Sequence, residues 1–235
     1  LSERYLARFP DDPMAYVYHA LLLVDGFGEL AGAEETVERM RTWDRTRRWM
    51  DTRDSEQLPP LLNAIESYVP YLRREYARAS GSALLAPQHF GARKMALHML
   101  WACRNERGVQ TYLDSLIVRN TRAVARNGAN GNAWLRIALA QAIQGEKSKA
   151  REAARSAESF QPPFDDPWMY AESYPEWLAS VYVILGDHSK AIGILKGLLS
   201  RPGWMTVWKL RLDPVYDPLR NDPAFKALLR DEVRA

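Results

Sequence analysis

The chain has 235 residues, 47% of them apolar, with 32 Lys and Arg against 29 Asp and Glu for a net charge of +3. That apolar share suffices for a sizeable core, and the mild net charge excludes a general nucleic-acid footprint. A single cysteine, Cys103, excludes an intrachain disulfide, and no apolar run reaches the length of a membrane span.

Strand signals are nearly absent. Amphipathic periodicity predicts helices over residues 13–25, 30–50, 56–79, 87–105, 108–127, 132–144, 147–160, 173–185, 188–200 and 222–232. The first is preceded by Asp12-Pro13, and the same dipeptide recurs at Asp166-Pro167, Asp213-Pro214, Asp217-Pro218 and Asp222-Pro223. Asp accepts a hydrogen bond from the free amides of a helix's first turn, and Pro at the next position has no amide to leave unpaired. Some of these are therefore helix starts, and the closely spaced ones are turns.

Gly26-Phe27-Gly28 with Gly32 has the look of a dinucleotide glycine loop, but a helical pattern precedes it where that loop needs a strand. It reads as a turn between helices. In the run from Arg39 to Arg53, basic residues alternate with Trp43 and Trp49, a composition that can bind single strands. Val37, Met40 and Trp43 recur at helical spacing, however, which makes one face core and leaves a charged face to water. Pro70 removes a backbone donor inside the 56–79 pattern and is expected to kink or split it. From Arg93 to Arg126 seven basic residues face only Glu106 and Asp114, a patch suited to an acidic partner peptide.

The strongest signal is a repeat. Trp134, Ile137, Ala138, Gly145, Ala150, Ala157 and Pro162 are answered by Leu178, Ala179, Tyr182, Gly186, Ala191 and Leu198. Gly145 to Gly186 and Ala150 to Ala191 are both 41 residues apart. The Pro-rich stretch 162–168 supplies an insertion between the two units. This arrangement resembles the tetratricopeptide repeat (TPR) family: clearest over 132–162 and 173–203, looser over 13–45 and 87–127. The tail from Leu212 to Phe225 is similar to the ends of bacterial multi-domain proteins that carry TPR arrays behind a DNA-binding, kinase or cyclase domain.

The resemblance implies an all-α superhelix of TPR-like helical hairpins, one domain over 1–235, closed by a capping segment at 213–232. It implies a protein or peptide ligand in a groove lined by the first helices: Tyr18, Leu22, Met95, Met99, Leu135, Leu139, Glu176 and Ser180. No catalysis, cofactor, metal or direct nucleic-acid contact is expected, and no membrane contact in this segment. The start, Leu1-Ser2-Glu3-Arg4, lacks a signal-peptide pattern and an initiating Met. A cytoplasmic C-terminal module of a larger bacterial signalling or transcription-regulating protein is the corresponding expectation.

Other chemistry is thin. Gly145-Glu146-Lys147-Ser148 lacks the first glycine and the lysine position of a phosphate loop. His19, His89, His98 and His188 show no i, i+4 pair for zinc. Asp11-Asp12 and Asp165-Asp166 read as caps. Two alternatives remain open: a small-molecule sensor or enzyme with an aromatic pocket built from Phe164, Trp168, Tyr170, Tyr174 and Trp177, and a homodimer paired through Trp204, Trp208 and the tail.

Overall fold

The computed structural model describes residues 2–10, 12–46, 58–79, 100–102, 104–105, 108–160, 173–200, 203 and 205–230. These are helices and turns, with no strand among the described residues. The chain divides into two compact units, residues 1–99 and 100–235, where the sequence reads as one continuous array.

The first unit holds α1 (Ser2–Arg8), α2 (Pro13–Leu21), α3 (Leu30–Thr46) and α4 (Leu58–Leu72). Asp12 caps α2, accepting from the Met14 amide at 2.9 Å, with Pro13 in the first turn. The expected helix 13–25 exists but changes hand-hold midway: Leu22–Gly26 is a π turn, released at Gly28, whose φ of 72° is left-handed. Gly28 thus makes the turn between α2 and α3, while Gly26 ends the π stretch and Gly32 lies inside α3. Val37 and Met40 are buried, as their spacing predicts. Pro70 lies in the last turn of α4, and the helix stops at Leu72, just before Arg74 enters the left-handed region. The tyrosine hydroxyl of Tyr68 donates to Asp25 at 2.9 Å, tying α4 to the π turn.

The second unit is built from hairpins. Its helices are α5 (Val109–Arg126), α6 (Gly131–Ile143), α7 (Lys147–Ser159), α8 (Ser173–Leu185) and α9 (His188–Leu199). α6 packs on α5, α7 and α8, and α8 packs on α9. The two turns repeat in detail. Gly145 and Gly186 have φ of 82° and 84°. The Glu146 amide donates to the Gln141 carbonyl at 2.9 Å, and the Asp187 amide to the Tyr182 carbonyl at 2.8 Å. A glycine tolerates this backbone, and each closing bond satisfies a carbonyl that the helix end would leave open. Ala150 and Ala191, each five residues beyond its turn glycine, are fully buried, as are Ala138 and Ala179. Small side chains at these points let helix backbones approach closely, and two-helix units complete their cores on each other.

The hairpins approach each other closely at Gly131, the first residue of α6. The Tyr174 hydroxyl of α8 reaches the Ala157 carbonyl at 2.7 Å and the Gly131 carbonyl at 3.1 Å. A Cβ on Gly131 would lie 2.2 Å from the Phe160 carbonyl oxygen and 2.9 Å from the Tyr174 hydroxyl. Gly131→Ala is therefore expected to lower stability by about 1–3 kcal/mol through overpacking. Urea denaturation followed by circular dichroism checks this, and an unchanged midpoint would remove Gly131 from the junction.

The chain then closes with α10 (Val207–Leu212), a 3-10 turn (Pro214–Leu219) and α11 (Pro223–Leu228). Asp213 and Asp222 cap the last two through amides at 2.9 Å and 2.8 Å, as the Asp-Pro pairs predict. Asp217-Pro218 sits inside the 3-10 turn instead. The turn packs on α8, and α11 on α9, so this segment covers the last hairpin. Asp166-Pro167 lies outside the described residues.

Candidate functional site

The eight candidate partner-binding residues divide into three groups. Tyr18 and Leu22 are exposed, at 56% and 41%. Met95 and Met99 lie outside the described residues. Leu135, Leu139 and Ser180 are fully buried in the second unit, and Glu176 is buried with them. Those four side chains pack the interior and present no surface to a partner in this conformation. Glu176 Oε1 lies 2.9 Å from Lys209 Nζ, an ion pair with both side chains buried, which fastens α8 to α10. Sequence periodicity puts Glu176 and Ser180 on one face of α8 but gives no sign of the lysine that arrives from 33 residues downstream.

Of the aromatic cluster, Tyr174 and Trp177 are buried, and Tyr174 serves the hairpin junction. Phe164, Trp168 and Tyr170 lie outside the described residues, as does Trp204. Trp208 is 38% exposed beneath the Arg211 guanidinium, 4.9 Å from its ring centre. In the basic patch of 93–126, Arg119, Arg122 and Arg126 share an open groove on α5 with Asp114 and Val118. Asp114 accepts from the Gln144 side chain at 2.8 Å. Among the described residues no cluster of His, Cys, Asp and Glu could hold a metal ion. None of their helices is long and apolar enough to cross a membrane.

A second open groove, of about 530 Å³, runs between α7, α8 and α9. Its walls carry Lys147, Arg151 and Arg155 from α7, Tyr182 from α8, and Asp187 and Lys190 from the start of α9. The spacing of the three α7 cations, four residues apart, puts them on one helix face. That signal is legible in the sequence, although the overall charge balance hides it. The turn geometry at Gly186 brings Asp187 and Lys190 against them.

Two ion pairs span the groove. Arg151 reaches Asp187 at 3.3 Å and donates to the Leu185 carbonyl at 3.2 Å. Lys190 lies 2.6 Å from Glu158 and donates to the Tyr182 hydroxyl at 2.9 Å, which in turn donates to Glu158 at 2.8 Å. Burial pushes the Tyr182 hydroxyl above its ordinary value; the Glu158 carboxylate adds to this and Lys190 opposes it. Burial alone would lower the Lys190 ammonium, but hydrogen bonds to Glu158 and Tyr182 outweigh it and hold the group above its ordinary value. Burial, helped by Glu158, pushes Tyr174 far up.

All three groups hold protons more tightly folded than unfolded. Their contribution is intact below about pH 10, the ordinary tyrosine range, and is lost as pH climbs through the raised folded values. The urea midpoint is thus expected to fall between about pH 10 and 11, with a shallower fall in Tyr174→Phe. An equal slope in the variant would contradict the assignment.

No protein-family model matches the chain, and no curated protein or solved structure matches it.

Proposed function

We propose that the chain is a protein-interaction module of tetratricopeptide type, which acts by binding a peptide segment of a partner rather than by catalysis. Its setting, on this reading, is the regulatory or sensory C-terminal part of a larger bacterial signalling or transcription-regulating protein. The observation that carries the reading is the recurrence, 41 residues apart, of one hairpin turn with the same closing bond and the same buried alanine beyond it. Stacked hairpins of this kind leave grooves between rigid helices, where an extended or helical segment can lie. The exposed Tyr18 and Leu22 and the open grooves of the second unit are the surfaces offered.

The test is selection of peptides from a displayed random library on the full chain. A consensus that binds as a free synthetic peptide and saturates at one site supports the reading. Failure to select any peptide, together with tight binding of a metabolite, overturns it.

A further inference from the structure

The groove between α7, α8 and α9 has an uneven charge economy. Arg151 and Lys190 already have carboxylate partners. Lys147 and Arg155 line the same groove, and among the described residues neither makes an ion pair. They stand eight residues apart on one helix, a separation of about 12 Å along its axis. Ser148, beside Lys147, lies in the first turn of α7, whose preceding Glu146 gives no side-chain cap to the helix amides.

The groove thus offers two separate positive ends. The carboxylate of Asp187, paired with Arg151, stands between them on the wall, and Glu158 follows Arg155 further along α7. A continuous phosphate backbone would meet the Asp187 carboxylate on its way from one cation to the other. Discrete anionic side chains can straddle it. In an extended segment, side chains about four residues apart are separated by roughly 13 Å, matching the span between the two cations. The arginine fork can take a carboxylate through two parallel bonds, and Lys147 supplies a point charge at the other end.

Resting on the interaction-module reading above, we propose that this groove docks an acidic peptide segment of the partner, with one carboxylate on Arg155 and a second, about four residues away, on Lys147 and Ser148. This site lies on α7 and α9, separate in sequence from the basic stretch 93–126. Because the contacts are exposed, each is individually weak, and binding falls with added salt.

The experiment is fluorescence anisotropy on the full chain. The probe is a labelled 12-residue Gly/Ser peptide carrying Glu at every fourth position. Its Gln counterpart, a labelled oligothymidylate and inorganic phosphate as competitor are measured beside it. The Glu peptide is expected to bind more tightly than the Gln peptide and the oligonucleotide. The double variant Lys147→Ala/Arg155→Ala is expected to lose about tenfold in affinity, while Lys196→Ala, on α9 outside the groove, stays at the wild-type value. Both substituted groove residues are exposed, so unfolding is not expected; an unchanged melting temperature verifies it. Equal binding of the Gln peptide, tighter binding of the oligonucleotide, full displacement by phosphate alone, or an unaffected double variant overturns the proposal. If the Glu peptide fails, the groove assignment falls: the module reading survives when a library-selected peptide still binds, and falls as well when none can be selected and a metabolite binds tightly instead.

Discussion

Lys209→Met is expected to lower the stability of the second unit by about 3–5 kcal/mol, because it strands the Glu176 carboxylate in the interior without this ammonium. The pair is 2.9 Å apart, with side chains 2% and 7% exposed. Desolvating two ions is expensive, and their mutual attraction offsets that cost only while both are present. The companion variant Glu176→Leu/Lys209→Met removes both charges and is expected to recover most of the loss. Urea denaturation of the wild type and both variants reads this directly. A single variant within about 0.5 kcal/mol of wild type would mean that the pair does not fasten α10 to α8.

The second large effect falls on the closing segment. Phe225 is fully buried, its ring tilted against that of Tyr216 with centres 6.5 Å apart. Asp222 holds the start of α11 and so sets where Phe225 points. Phe225→Ala removes most of the apolar volume on that face and leaves a cavity, for an expected loss of about 3–5 kcal/mol. Thermal unfolding by circular dichroism checks it. If the melting temperature does not move, α11 is not a structural cover for the last hairpin.

The sequence reveals the buried ion pair and the closing helix unequally. The position of α11 is legible, since Asp222-Pro223 is a cap with a mechanism and Phe225 and Leu228 follow at helical spacing. The hairpins are legible for a similar reason: a glycine at a left-handed turn and alanines at a close approach are chemical necessities that leave fixed intervals. The all-helical class follows from the same periodicity. Helix α1, α10 and the 3-10 turn escape because they are short, and short segments show too few turns for a period to register.

Side-chain burial is harder. Leu135, Leu139, Glu176 and Ser180 lie on helix faces that could equally line a groove or a core, and local pattern cannot tell which. Trp134 matches the opening position of its repeat but is only half-buried, with its indole N–H donating to the Gly128 carbonyl at 2.8 Å. The cation face of α7 is readable from spacing alone. Its opposition to Lys190 and Asp187 depends on the hairpin turn, which places residues more than thirty positions apart on facing walls.

Neighbouring hairpins of the second unit share one interior, coupled through Gly131 and Tyr174. Native-state hydrogen exchange on wild type and Gly131→Ala tests it most directly. The substitution in α6 is expected to lower amide protection in α8 and α9 together with that in α6 and α7. Unchanged protection across residues 173–199, alongside loss confined to 131–159, would show that the two hairpins fold without one another.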